Sequence, residues 1–195
     1  TVYILTNEAM PGIIKIGWTD SPIEQRMKEL DKTGTPLPFT CYYAKQVDDP
    51  TFVESKLHEA FDKFRIRDNR EFFRMLPEHA KAALEIAGGK DVTPKDDVVE
   101  TESDRAALQR ERKRNRFNFA EVGVEPGEIL KFKKDPSITC KVVEGDLVEF
   151  RGRKTSLTNS ALEVIHELGY KWNKIAGPQF WTYKGKTLYD LNQED

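Results

Sequence analysis

The chain has 195 residues, of which 38% are hydrophobic and 33% charged, with a formal net charge of −2. That size suits one large or two small domains, and the composition is that of a globular protein with a well-solvated surface. No apolar run approaches the ~20 residues needed to span a bilayer, and no apolar signal core precedes the first strand-like run, so a cytoplasmic protein with no membrane partner is expected. Cys41 and Cys140 lie far apart, outside any Cys-x-x-Cys or Cys/His cluster, which argues for reduced buried thiols and against structural zinc.

The charge is unevenly spread. Residues 1–104 hold 14 basic and 20 acidic side chains, whereas residues 105–195 hold 17 and 13. This asymmetry assigns more of any polyanion contact to the second half.

In chain order, Val2-Tyr3-Ile4-Leu5 and Ile13-Ile14-Lys15-Ile16-Gly17 are β-prone runs joined through Met10-Pro11-Gly12, the pattern of a hairpin. Ser21, Pro22 and Glu24 form a helix-start signal, with Ile23, Met27 and Leu30 spaced to face a core. Arg26 lies beside Met27 at the edge of that face. Residues 39–47 read as a third strand, with Tyr42 and Tyr43 on opposite faces. Asp49 and Pro50 open a second helix whose Val53, Leu57, Ala60, Phe61 and Phe64 make one apolar stripe. Glu54 and His58 share a face beside it. The loop with Arg65, Arg67 and Arg70 either touches a nucleic-acid backbone or simply solubilises the surface. Glu71, Phe72 and Phe73 follow, the phenylalanines closing the sheet, and then a helix over residues 77–87.

Residues 88–104 lack apolar periodicity and read as a flexible linker. The basic segment behind them, with Arg112, Arg114 and Arg116, is a candidate phosphate clamp or else a solvated connector. The expected organisation is thus a first domain over 1–87, a charged linker over 88–119 and a second small domain over 120–195. In the second domain, strands are expected near residues 127–132, 139–143 and 147–150. A helix capped by Ser156 follows, then an aromatic-rich hairpin holding Trp172 and Trp181 among Lys174, Lys184 and Lys186. Those aromatics and lysines either stack on bases and hold a backbone or, for at least one tryptophan, form the core that a domain this small needs.

Tyr3 within Val-Tyr-Ile, Lys15-Ile16-Gly17, Arg26, Glu54, His58 and Arg70-Glu71-Phe72-Phe73 together resemble the GIY-YIG nucleases, in particular a phage and bacterial branch with Lys-Ile-Gly in place of Tyr-Ile-Gly. The resemblance implies an α+β fold, a three-stranded antiparallel sheet with flanking helices. It also implies metal-dependent cleavage of DNA. In that scheme Glu54 holds Mg²⁺ or Mn²⁺ and Arg26 neutralises transition-state charge. Tyr3 activates or positions the attacking water, and Lys15 lowers the pKa of Tyr3 or replaces the missing tyrosine. His58 orients water, shuttles a proton or contacts phosphate, with Gly17 and Glu71 in support. Asp135-Pro136-Ser137, Phe150-Arg151-Gly152 and Gly177-Pro178-Gln179-Phe180-Trp181-Thr182-Tyr183 resemble a RAMA-type module. That likeness implies DNA binding with sensitivity to modified bases. The combined expectation is restriction of foreign, phage or base-modified DNA. Double-strand cutting by a one-site nuclease then requires a homodimer or two sequential nicks. A non-catalytic DNA-binding protein and a structure-specific or single-strand nuclease are the rival readings.

Overall fold

A computed structural model describes residues 1–31, 34–114, 117–172 and 174–192. The chain divides into two units, Thr1–Asn115 and Arg116–Asp195. Both are α+β, each built on an antiparallel sheet.

In the first unit, β1 (Val2–Thr6) and β2 (Ile13–Trp18) form the expected hairpin, and β3 (Thr40–Gln46) pairs with the far edge of β1. Two short strands, β4 (Phe72–Arg74) and β5 (Lys90–Asp91), extend this sheet to five strands in the order β4-β2-β1-β3-β5. Helix α1 (Ile23–Asp31) covers one face, where Ile23 and Met27 pack with Tyr3, Leu5, Phe39 and Cys41. Helices α2 (Pro50–Ala60) and α3 (Pro77–Ile86) cover the other, packing Leu57, Ala80 and Leu84 against Val2, Ile4, Ile14 and Ile16. The period-2 alternation of β1 produces this division: odd residues meet α1, even ones meet α2 and α3. Asp49 caps α2 as its composition predicts, accepting from the backbone N–H of Phe52 at 2.9 Å.

Three expectations are corrected. Tyr42 and Tyr43 do not face opposite ways; both pack against the α2/α3 side. The register of β1 and β3 slips at this point, so that Ile4 opposes Tyr43 while Leu5 opposes Cys41. The resulting β-bulge defeats alternation. The apolar stripe of α2 does not continue to Phe64, because the helix stops at Ala60 and a single 3-10 turn, Asp62–Phe64, swings that ring outward.

The third correction concerns residues 88–114, which are not a free linker. Beyond α3, Gly89 passes so close to β3 that a Cβ there would lie 2.0 Å from the carbonyl oxygen of Gln46. Its absence lets β5 add to the sheet. Val92 and Val98 pack against the α1-side core, and Leu108 of α4 (Glu102–Arg114) is only 1% exposed.

In the second unit the sheet runs β11-β10-β6-β7-β8-β9. Its strands are β6 (Ile129–Phe132), β7 (Asp135–Val142), β8 (Leu147–Phe150), β9 (Arg153–Ser156), β10 (Trp181–Tyr183) and β11 (Lys186–Thr187). Helix α5 (Leu157–Glu167), capped by Ser156 Oγ on the N–H of Asn159, buries Leu157, Ala161, Val164 and Ile165 against Phe132, Phe150 and Trp181. A last turn of helix, α6 (Leu188–Leu191), contributes Leu188 to the same core. The charge asymmetry between the halves dissolves at the observed boundary: residues 116–195 hold 12 basic and 12 acidic side chains.

Candidate functional site

The site forms along the outer edge of β2, just beyond the point where β4 begins. Tyr3 stands opposite Gly17 in the hairpin register. The phenol lies across β2 over Gly17, and a Cβ at that position would meet Tyr3 Oη at 2.6 Å. Only a residue without a side chain leaves that path open. Beyond the glycine, Tyr3 Oη accepts a long hydrogen bond, 3.4 Å, from Arg26 Nε of α1. Arg26 Nη1 donates to Glu29 Oε2 at 3.3 Å, one turn further on. Burial raises the Tyr3 pKa above the ordinary phenol range; the Arg26 hydrogen bond opposes that shift, while the Glu71 and Glu54 charges add to it. The phenol therefore stays protonated at neutral pH. With Arg26 donating to its oxygen, its own O–H is left to donate elsewhere.

The opposite wall comes from α2. Ile16 turns its backbone toward β4, and its N–H donates to the carbonyl of Glu71 at 3.1 Å. Its carbonyl is met instead by His58 Nε2, at 3.1 Å, and Nε2 also lies 3.3 Å from Glu54 Oε1. A carbonyl oxygen can only accept, so Nε2 carries the hydrogen. The ring is further held against Phe73, centroids 5.1 Å apart. His58 thus satisfies a strand edge and orients Glu54; its Nε2 has no lone pair for a metal or a proton. Glu54 itself is held above the ordinary carboxylate range, chiefly by burial. The charges of His58 and Lys15 pull it down and that of Glu71 pushes it up.

Lys15 departs from its expected role. Its buried ammonium is ion-paired with Glu71 and sits 5.3 Å over the Phe72 ring. The partner that draws the Tyr3 pKa down is Arg26 rather than Lys15. Tyr3, Gly17, Arg26, Lys15, Glu54, His58 and Glu71 thus meet along one sheet edge. Among the described residues no group of three or more His, Cys, Asp and Glu side chains converges on a point. Glu54 stands with His58 3.3 Å away and within the field of Glu71 and Lys15.

The other candidates disperse. Arg65 is turned inward: Nε donates to Asp62 Oδ1 at 3.0 Å, Nη1 to the Arg70 carbonyl at 2.8 Å, and the guanidinium lies 4.7 Å over Phe73. Arg67 and Arg70 are exposed. Arg112 is occupied by a bidentate pair with Asp97 and by Glu8 and Thr40, which fasten α4 to its own unit. The side chain of Arg114 and all of Arg116 lie outside the described residues. Of the two readings of Trp181, base contact is ruled out and core holds: it is 0% exposed, and Nε1 donates to Ser160 Oγ at 3.1 Å. Trp172 is half-buried, its ring 4.9 Å from that of Tyr170, with Lys134 Nζ 4.1 Å over Tyr170. Lys174, Lys184 and Lys186 are exposed, and Lys184 lies 4.7 Å over the Tyr183 ring. Lys134 lies outside the aromatic run that opens at Tyr170, so spacing along the chain does not join the two. No signal in the sequence pointed to Phe73 as the ring shared by His58 and Arg65.

Among the described residues, no helix is long and apolar enough to cross a membrane. No solved structure matches the chain. A curated protein, the tRNA uridine(34) hydroxylase of Bacillus pumilus (strain SAFR-032), is 30% identical over 149 residues, which is 73% of this chain and 44% of that protein. The chain therefore spans less than half the length of this relative. Residues 1–87 match the model of the T5orf172 domain, a nuclease-associated domain, and this stretch is the one that carries Tyr3, Gly17, Arg26, Glu54, His58 and Glu71.

Proposed function

We propose that the first unit is a metal-dependent DNA endonuclease of the GIY-YIG kind, which restricts foreign DNA, including phage DNA with modified bases, and that the second unit reads the DNA. The observation that carries this reading is the convergence of the Tyr3 hydroxyl, the Arg26 guanidinium and the Glu54 carboxylate on one open sheet edge.

The residues present fit a divalent ion. Glu54 is a carboxylate already short of solvation and repelled by Glu71, so a cation relieves an existing cost. Glu54 would hold Mg²⁺ or Mn²⁺, and the bound ion would supply Lewis-acid polarisation of the scissile phosphate. His58 keeps the carboxylate in place through Nε2–H. Arg26, anchored by Tyr3 and Glu29, presents its guanidinium to the phosphoryl oxygens as charge grows on them. Tyr3 donates its O–H to a phosphate oxygen or the attacking water and lines up the in-line approach. In the hydrolysis, the water oxygen bonds to phosphorus as the bond to the leaving sugar oxygen breaks, and the proton that the water gives up to solvent is matched by one that solvent returns to the leaving oxygen. The Lys15–Glu71 pair neutralises the floor of the site.

The test is cleavage with Mg²⁺ or Mn²⁺ of unmodified, adenine-methylated, cytosine-methylated and glucosylated DNA, with Glu54→Gln beside the wild type. Cutting that vanishes in Glu54→Gln supports the nuclease. Cutting confined to one modified DNA supports the reader. Tight binding without cutting supports a non-catalytic DNA-binding protein. The likeness to a tRNA uridine(34) hydroxylase favours a second reading in which RNA is the substrate. A tRNA transcript, a single strand and a branched duplex in the same panel decide that point.

A further inference from the structure

The loop that leads from α2 to β4 exposes apolar side chains where a solubilising loop would not. Phe64 is 37% and Ile66 45% exposed. A scattered exposed apolar side chain is ordinary in itself; here three further features set the pair apart.

The loop is braced. Arg65 ties Asp62 to the Arg70 carbonyl and rests on Phe73, and the N–H of Ile66 donates to the Phe72 carbonyl at 3.0 Å. The N–H groups of Phe64 and Arg70 close two turns, onto Phe61 at 2.8 Å and Arg67 at 2.9 Å. A loop fastened at both ends cannot fold its apolar side chains away. The pair is also flanked by cations, Lys63, whose ammonium lies 5.0 Å over Phe64, and exposed Arg67 and Arg70, against the exposed carboxylate of Asp68 and that of Asp62, which Arg65 holds. Finally, the loop runs directly into the candidate site. Glu71, next to Arg70, pairs with Lys15, and the Phe73 ring that supports Arg65 also supports His58.

We propose that this loop is a duplex-distorting arm. Ile66 enters a groove and parts a base step, Phe64 packs beside it, and Lys63, Arg67 and Arg70 hold the flanking phosphates. Apolar wedges flanked by cations open base steps in this way, bending the duplex toward the protein. The inference rests on the nuclease reading for its substrate and adds how the duplex is presented to the sheet edge. Charge complementarity with a polyanion selects nucleic acid over an apolar partner.

The test uses the full chain carrying Glu54→Gln and short duplexes with 2-aminopurine placed at pyrimidine–purine steps, which part most readily. Binding is followed by anisotropy and unstacking by 2-aminopurine fluorescence. Binding is expected to raise the fluorescence severalfold at one or more steps. Ile66→Ala abolishes the rise while binding weakens by less than about tenfold, within the span of one lost apolar contact. Ile66→Leu restores the rise. Arg67→Ala and Arg70→Ala weaken binding to all sequences alike, and each lowers the salt slope by about one.

Equal fluorescence in Ile66→Ala and its parent overturns the proposal. So does binding without any rise, no binding to any duplex at low salt, or a change of oligomeric state in Ile66→Ala that marks the loop as a contact between copies. Wild-type cleavage without unstacking removes the arm and leaves the nuclease; unstacking without wild-type cleavage does the reverse.

Discussion

Gly17 and His58 show how little room single positions have. A Cβ at Gly17 falls 2.6 Å from the Tyr3 hydroxyl, so Gly17→Ala must displace the phenol or the strand. Overpacking of this kind costs about 1–3 kcal/mol, and we expect a lower melting temperature together with loss of cleavage. Tyr3→Phe leaves the fold intact and isolates the hydroxyl. At His58, Nε2–H links the Ile16 carbonyl to Glu54. We expect His58→Ala to lose about 10–100-fold in Mn²⁺ affinity, the range for residues that orient a ligand. His58→Gln, with an amide donor able to reach the same acceptors, recovers much of the loss. Nitrogen NMR of the free protein should find the neutral ring protonated at Nε2; protonation at Nδ1 alone would contradict the assignment. Glu54 links function to stability. Its folded pKa is raised by burial, so its contribution is favourable below the unfolded pKa and is lost as pH rises through the folded one. Glu54→Gln should therefore melt at a higher temperature than wild type at pH 7.5, and the gap should close below about pH 4, near the ordinary carboxylate value. Millimolar Mg²⁺ should stabilise the wild type and leave Glu54→Gln unmoved.

Among the elements, α2 and the segment behind α3 show what short stretches of sequence conceal. Helix α2 was legible from Asp49-Pro50 and its apolar spacing, and the observed cap agrees. Its end was not legible. Phe61 and Phe64 continue the apolar spacing, yet a 3-10 turn intervenes and turns Phe64 out, because Arg65 gains Asp62 and Phe73 as partners. Residues 88–114 misled in the other direction. They are polar and lack periodicity, which is the composition of a linker, but Gly89, Val92, Val98, Leu108 and Arg112 each fit a specific place on the first unit. Removing them exposes the α1-side core. We expect a fragment ending at residue 87 to unfold at markedly lower urea concentration than one ending at 115. In the longer fragment, Arg112→Ala should cost about 1–2 kcal/mol, more than a surface pair contributes, because it removes at once the hydrogen bonds that tie α4 to Asp97, Glu8 and Thr40.

For the whole molecule, the two units have separate cores, one on either face of the first sheet and one on the second sheet. Fragments 1–115 and 116–195 should each unfold cooperatively, and Trp181→Ala should abolish folding of the second alone, since emptying a fully buried tryptophan site costs about 3–5 kcal/mol. The second unit carries no net charge at its observed boundary, and we expect its recognition to rest more on shape and stacking than on phosphate contacts. On that expectation its binding depends on salt less than that of the first unit, where Lys63, Arg67 and Arg70 lie exposed in one loop. A steep salt slope for fragment 116–195 alone would refute this division of labour.

By itself, the sequence determined what depends on neighbours along the chain. The β1–β2 hairpin, the helix caps at Asp49 and Ser156 and the α+β class follow from local spacing and turn chemistry, and the ordered set of Tyr3, Gly17, Arg26 and Glu54 stood out through its resemblance to a nuclease family. The tertiary structure alone decided what depends on partners far away. It committed Lys15 to Glu71, Arg112 to Asp97, Trp181 to the core and His58 to a bare strand edge. The physical reason is that a charged or aromatic side chain has the same local signature whether it meets solvent, substrate or another side chain. Which of these it meets is settled by desolvation and by the partner that folding brings within reach.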